Sequence, residues 1–201
     1  MELAKAHPTI EPHVLDVTDR VAVEEFAARA GRLDAAVLNA AVNPLGPFDG
    51  HSLDTDAATV ATNITSNLHL ARVLKPALAG GRLVFVGSMA GGVPLPGQAV
   101  YSGTKAFVRN FALALRQEWA GEVSVGLFEP GGIKTEMTAE LSHMERHLAP
   151  VEDVARDLAR FVASGRAARV PGGANRAVSR LARLLPPATL ARISRRLYRD
   201  G

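Results

Sequence analysis

Residues 80–105 read GGRLVFVGSMAGGVPLPGQAVYSGTK, and this stretch decides the fold. Leu83-Val84-Phe85-Val86, followed by Gly87, is the clearest strand in the chain. Gly80-Gly81 ends a helical pattern before it, and Gly91 to Gly97 is loop. From near Gln98 to Trp119 the apolar residues return at helical spacing. Ser88 stands at the carboxyl end of the strand and precedes Tyr101 by 13 residues.

Working outward, short apolar runs keep alternating with longer helical patterns, the signature of an open parallel sheet with helices on both faces. Toward the amino end, His13-Val14-Leu15 reads as a strand ending at Asp16, and Asp19 caps a helix through Ala30 that Gly31 stops. Ala35-Ala36-Val37-Leu38 reads as a strand buried on both faces, and one long helix is expected from about Asp54 to Leu78. Toward the carboxyl end, Val123 to Phe128 is a strand and Pro130-Gly131-Gly132 a break. An irregular segment from Ile133 to Leu148 follows, with Met137, Leu141 and Met144. A helix then starts at Pro150 and ends near Gly165, before a short last strand from Ala167 to Val170. Beyond Pro171 the spacing of Val178, Leu181 and Leu184, then Leu190, Ile193 and Leu197, predicts two short amphipathic helices around Pro186-Pro187. The division expected is a core over 1–173 and a basic tail over 174–201.

The chain has 201 residues, 47% of them hydrophobic, enough for one substantial core. It has no cysteine, which excludes disulfide frameworks, thiolate metal sites and cysteine nucleophiles and fits a cytoplasmic protein. No apolar stretch reaches the ~20 residues of a bilayer span. The net charge of +3 is divided unevenly, because from Arg156 onward 11 Arg face only Asp157 and Asp200, giving +9 against −6 for the rest. The plain reading of such a tail is a solvated helix face; as a docking surface it is expected to meet protein, its own acidic surface or that of a neighbouring subunit, with an anionic membrane surface as the second reading. Nucleic acid is not expected as a partner. The pair His143 and His147 has helical spacing but no third ligand, so no metal site is assigned.

Chemistry concentrates in Tyr101-Ser102-Gly103-Thr104-Lys105. If this turn is helical, Tyr101 and Lys105 project from one face, and the cation is expected to draw the phenol pKa down from ~10 toward a value useful for proton transfer. Other polar residues fall at carboxyl ends of strands or on flanking helices, where open α/β sheets bind ligands. They are Asn39-Ala40-Ala41, Asn63 within the long helix, Ser88, and Glu129-Pro130-Gly131-Gly132-Ile133-Lys134-Thr135.

In this order and spacing the sequence resembles the short-chain dehydrogenase/reductase family to about Gly173. The residues that carry the resemblance are Asp16-Val17, Asn39-Ala40-Ala41, Asn63, Ser88, Tyr101 with Lys105, and Pro130-Gly131 with Thr135. The resemblance implies a doubly wound, Rossmann-like α/β fold binding NAD or NADP. It makes Tyr101 the general acid/base, with Lys105 lowering its pKa and holding the ribose hydroxyls. Ser88 would bond the substrate oxygen, and Asn63 would hold a water leading to Lys105. Asp16 and Val17 would touch the adenine, Asn39-Ala40-Ala41 the cofactor ribose region, and Pro130, Gly131, Ile133 and Thr135 the nicotinamide end.

The family's first strand, glycine-rich turn and second strand have no counterpart here, so the fold is expected to be N-terminally truncated. The choice between NAD and NADP stays open. Two functions follow. One is an oxidoreductase acting on a mainly apolar alcohol or ketone, homo-oligomeric at full length. The other is a non-catalytic binding remnant lacking the pyrophosphate loop.

Overall fold

Strands β1 (Ala35–Leu38), β2 (Arg82–Val86), β3 (Ser124–Phe128) and β4 (Ala168–Arg169) lie parallel and in sequence order in one sheet of the computed structural model, which describes residues 7–138 and 148–199. Val37 pairs with Val84, Phe85 with Leu127, and Leu127 with Ala168, so the carboxyl ends of the strands share one edge. The helices are α1 (Arg20–Arg29), α2 (Leu53–Val60), α3 (Ser66–Leu74), α4 (Ala99–Glu118), α5 (Val151–Ala163), α6 (Gly173–Leu184) and α7 (Pro187–Arg199).

Successive side chains on a strand point to opposite faces, and β2 uses both. Leu83 and Phe85 pack with Val125 and Leu127 against Val23 of α1, Leu70 and Leu74 of α3, and Val108, Ala112 and Leu115 of α4. Val84 and Phe128 face the other way, onto Val154 and Phe161 of α5. Helices on both faces of a parallel sheet make the architecture doubly wound and Rossmann-like, as expected.

The amino-terminal region departs from expectation. Residues 13–15 form no strand: Val14 is fully exposed, while Leu15 leans on the core. Turn chemistry takes over, because Asp16 Oδ1 accepts from Thr18 N and Thr18 Oγ1, both at 2.8 Å, and Asp16 O accepts from Asp19 N. The capped start of α1 is as read, with Asp19 Oδ1 accepting from Ala22 N at 3.1 Å. Strand β1 is not buried on both faces. Val37 is 39% exposed and Leu38 alone is buried, since the strand pairs with β2 on one side and with no described strand on the other.

The long helix is interrupted. Ser52 caps α2, residues Ala61–Thr65 form a wider π turn, α3 ends at Leu74, and Pro76 opens a 3-10 turn to Leu78. The last strand and both tail helices are present. Of the expected irregular segment, Leu141, Met144, His143 and His147 lie outside the described residues, while Met137 is exposed and Leu148 half-buried.

Candidate functional site

The ends of β2 and β3 stay joined past the last paired residues. Gly87 N donates to Phe128 O at 2.7 Å and Met89 N to Pro130 O at 2.9 Å. Between these bonds Ser88 is extended, and its Oγ accepts from Ala90 N at 3.1 Å, capping the short turn Met89–Gly91. That turn lies directly on α4: a Cβ at Gly91 would stand 2.6 Å from Lys105 O and 2.7 Å from Lys105 C. Glycine is needed there for close approach, which brings Ser88 to α4.

On α4, Tyr101 and Lys105 are one turn apart, as their spacing demands. Ser88 lies near enough to the Tyr101 phenol to favour its charged form. Lys105 is buried, donates from Nζ to Val86 O at 3.0 Å, and holds its ammonium 5.6 Å from the centre of the Tyr101 ring. The electrostatics correct the expected fall in the phenol pKa. Burial pushes Tyr101 up, and Ser88 pulls it back only partly. Burial acts on the cation as well, lowering Lys105 to about 8. Removing water disfavours the charged form of both groups, so the cation does not outweigh desolvation at the phenol.

Asn63 sits in the π turn and is fully buried. Its Oδ1 accepts from Val42 N and its Nδ2 donates to Val42 O, both at 2.9 Å, so it clamps the loop after β1 from two sides. The same Nδ2 reaches Thr104 Oγ1 at 3.1 Å, and Thr104 Oγ1 donates to Tyr101 O at 2.7 Å. Its own carbonyl accepts from Asn67 Nδ2 at 2.8 Å. Asn63 is therefore a brace joining three elements. Thr104 was not singled out in the sequence, although a small polar residue facing into a helix packing surface is a usable signal.

Glu129 was read only as part of a motif. It is 2% exposed, and its carboxylate pairs with Arg109 of α4 and lies 3.8 Å from Arg183 of α6. A charge directly after a buried strand demands partners, which could have flagged it. Beyond it Pro130 is buried, and a Cβ at Gly131 would meet Asn175 Nδ2 at 2.7 Å, so α6 rests on this break. Ile133 is half-buried and bridges Ala149, while Thr135 is exposed with its N donating to Thr138 Oγ1 at 3.1 Å.

The structure thus joins Asn63, Ser88, Tyr101, Lys105 and Pro130 through hydrogen bonds and short turns. It places Val17, Asn39 and Ala40 elsewhere, around a cleft of about 360 Å³ that Leu38, Leu70 and Leu74 also line beside β1. Ala41 is half-buried and Asp16 exposed, its carboxyl held below the usual range by the Thr18 backbone and side-chain bonds. Among the described residues no group of three His, Cys, Asp or Glu could hold a metal ion. No helix among them is long and apolar enough to cross a membrane.

Comparison with known proteins bears on this geometry. A family model described as short chain dehydrogenase matches residues 1–146. An uncharacterized oxidoreductase of Myxococcus xanthus is 30% identical over 204 residues, covering 98% of this chain and 81% of that protein. The NADP-dependent 3-hydroxy acid dehydrogenase of Escherichia coli is 35% identical over 127 residues, covering 58% of this chain and 51% of the relative. A hydroxynaphthalene reductase of Aspergillus fumigatus and a tropinone reductase homolog of Arabidopsis thaliana are likewise matched over 44% and 50% of their lengths. The chain thus spans about half the length of several relatives. Among solved structures, a short chain dehydrogenase from Burkholderia cenocepacia in complex with NADP superposes with TM-score 0.78 over 96% of this chain and 81% of that one, at 24% identity.

Proposed function

The chain belongs to the short-chain dehydrogenase family, and on that premise we propose that it transfers hydride between a nicotinamide dinucleotide, NAD or NADP, and a small alcohol or carbonyl compound, with Tyr101 as general acid/base. The observation that carries the reading is Tyr101 with Lys105 one turn on, the ammonium anchored at Val86 O and 5.6 Å from the phenol ring centre, beside Ser88 at the end of β2.

When bound, the nicotinamide supplies or accepts the hydride. Burial keeps Tyr101 protonated at neutral pH, which suits donation of its proton to a carbonyl oxygen in the reducing direction. Ser88 accepts from Ala90 N, which leaves its hydroxyl hydrogen to donate to the phenol oxygen or to a substrate oxygen between them. Lys105, at about 8, stays mainly an ammonium near pH 7 and stabilises the phenolate left when Tyr101 gives up its proton. Asn63, through Thr104 and the Tyr101 carbonyl, fixes the first turn of α4.

The ribose and nicotinamide end of the cofactor suits Lys105, Pro130, Gly131, Ile133 and exposed Thr135, and the ribose region suits exposed Asn39 and Ala40 with Ala41. Val17 in the cleft and Asp16 beside it suit the adenine. For the diphosphate we assign no residue: Asp19 fills the N-terminus of α1, and Ser52, Asp54 and Asp56 occupy that of α2, where acidic groups repel an anion. Exposed Met137 and half-buried Leu148 favour a mainly apolar alcohol or ketone.

The test is Tyr101→Phe. Turnover falls by about 10²- to 10⁴-fold while dinucleotide affinity, read by titrating NADH and NADPH fluorescence, stays within about twofold. Retention of more than about a tenth of the wild-type kcat leaves less than ~1.4 kcal/mol of barrier to the phenol and overturns the assignment.

A further inference from the structure

Helix α6 is turned the unexpected way round. Asn175, Ser179 and Ala182 face the body, half-buried or buried, whereas Val178, Leu181 and Leu184 are 51%, 58% and 82% exposed. Small residues thus dock the helix, and its three large apolar side chains, each three positions from the next, form a stripe open to solvent. The docking is specific, through Asn175 against Gly131 and through Arg183 toward Glu129, so the outward stripe follows from how the helix is held.

Charge accompanies the stripe. From Gly173 to Arg199 there are seven arginines and no Asp, Glu or Lys. Among the described residues, Arg183 is the one arginine of these two helices that reaches a carboxylate, while Arg180, Arg192, Arg195 and Arg196 are exposed without one. The acidic body therefore leaves most of the tail's charge uncompensated, and an outside partner has to be both anionic and able to take apolar side chains. Nucleic acid would meet the guanidiniums but leave the leucines in water. A lipid surface meets both needs: side chains such as Leu181 and Leu184 enter the headgroup and acyl boundary, and guanidiniums meet phosphates.

We propose that the face of α6 bearing Val178, Leu181 and Leu184, together with the exposed arginines of α6 and α7, docks the protein onto an anionic lipid bilayer, lying on it without crossing it. The proposal does not depend on the activity of the Tyr101 site, which is chemically separate from this face.

Co-sedimentation of the full chain with vesicles tests it. Vesicles of equal parts phosphatidylglycerol and phosphatidylcholine bind at least about tenfold more tightly than phosphatidylcholine alone, and rising salt weakens the binding. The double variant Leu181→Gln with Leu184→Gln, checked by circular dichroism for an unchanged fold, loses about tenfold in affinity for the mixed vesicles. Arg195→Gln with Arg196→Gln loses affinity and flattens the salt dependence. Equal or absent sedimentation with the two vesicle types overturns the proposal. So does a dimer that the leucine substitutions convert to monomer while vesicle binding stays unchanged, since the stripe is then an interface between copies.

Discussion

Strands β1 and β2 are hydrogen-bonded neighbours, yet they end in different surroundings. At the carboxyl end of β2 nearly every polar group has a partner: Val86 O holds Lys105, Gly87 and Met89 bond to Phe128 and Pro130, and Ser88 caps Ala90. At β1, Val37 and Asn39 are exposed, a cleft lies alongside, and the preceding segment turns through Asp16 rather than pairing. The contrast teaches that the end of the candidate site bearing Tyr101 and Lys105 is pre-ordered by α4 and the strand ends. The β1 side carries few groups whose loss the fold would register.

If that contrast is right, substitutions on the β2 and β3 side cost more than those at β1. The largest expected effect on stability is Glu129→Gln, which leaves Arg109 with its buried partner neutralised and releases Arg183 of α6; urea unfolding should show a loss of about 3 kcal/mol. A loss below about 1 kcal/mol would show that the strand end is not held by charge.

Next comes Lys105. Its folded pKa of about 8 lies below the ordinary 10.5, so between those values the unfolded chain holds more protons and stability rises with pH. Between about pH 7.5 and about pH 9.5 the rise is about 2 kcal/mol, and Lys105→Met should abolish it. Tyr101, raised above the ordinary phenol value, acts with the opposite sign only above that window. A Met variant with the same pH slope would mean that the ammonium is not desolvated.

Smaller still is Gly91→Ala, whose Cβ would meet the Lys105 backbone at 2.6 Å. About 1 to 3 kcal/mol of overpacking is expected, and kcat should fall with it because the turn carries Ser88. Smallest is Val37→Thr on the half-open strand β1, expected within about 0.5 kcal/mol of wild type by thermal unfolding. A cost above about 1 kcal/mol there would show that the edge is covered in solution and break the contrast.

Much of the site was legible because it lies on elements with strong local signals. The Tyr101 to Lys105 spacing fixes a shared helix face, and a Val-rich run ending in Gly87-Ser88 fixes where the strand stops. Asp19 and Gly31 bounded α1 correctly, since capping is chemistry within one turn. His13-Val14-Leu15 misled because two apolar residues behind a histidine do not make a strand without a partner for their backbone groups, and Asp16 offered a turn instead. Glu129 was noticed as part of a motif, but not as the buried end of an ion pair with residues 20 positions before it and 54 after it.

By itself the sequence determined the alternation of strands and helices from Asp19 onward, apart from the break at Ala61–Thr65, and the residue types at the carboxyl ends, because these depend on side-chain period and on neighbours a few positions away. Only the tertiary structure decided which polar groups meet and what burial does to them. Asn63 binds Val42 and Thr104, 21 and 41 residues distant, through the π turn that aims it. Tyr101 rises in pKa although a cation sits one turn away, because α4 is buried against the strand ends and desolvation acts on phenol and ammonium together. The outward stripe of α6 was set in the same way, by where Asn175 and Ala182 could dock. Long-range packing controls dielectric and partner choice, and neither is written in a local pattern.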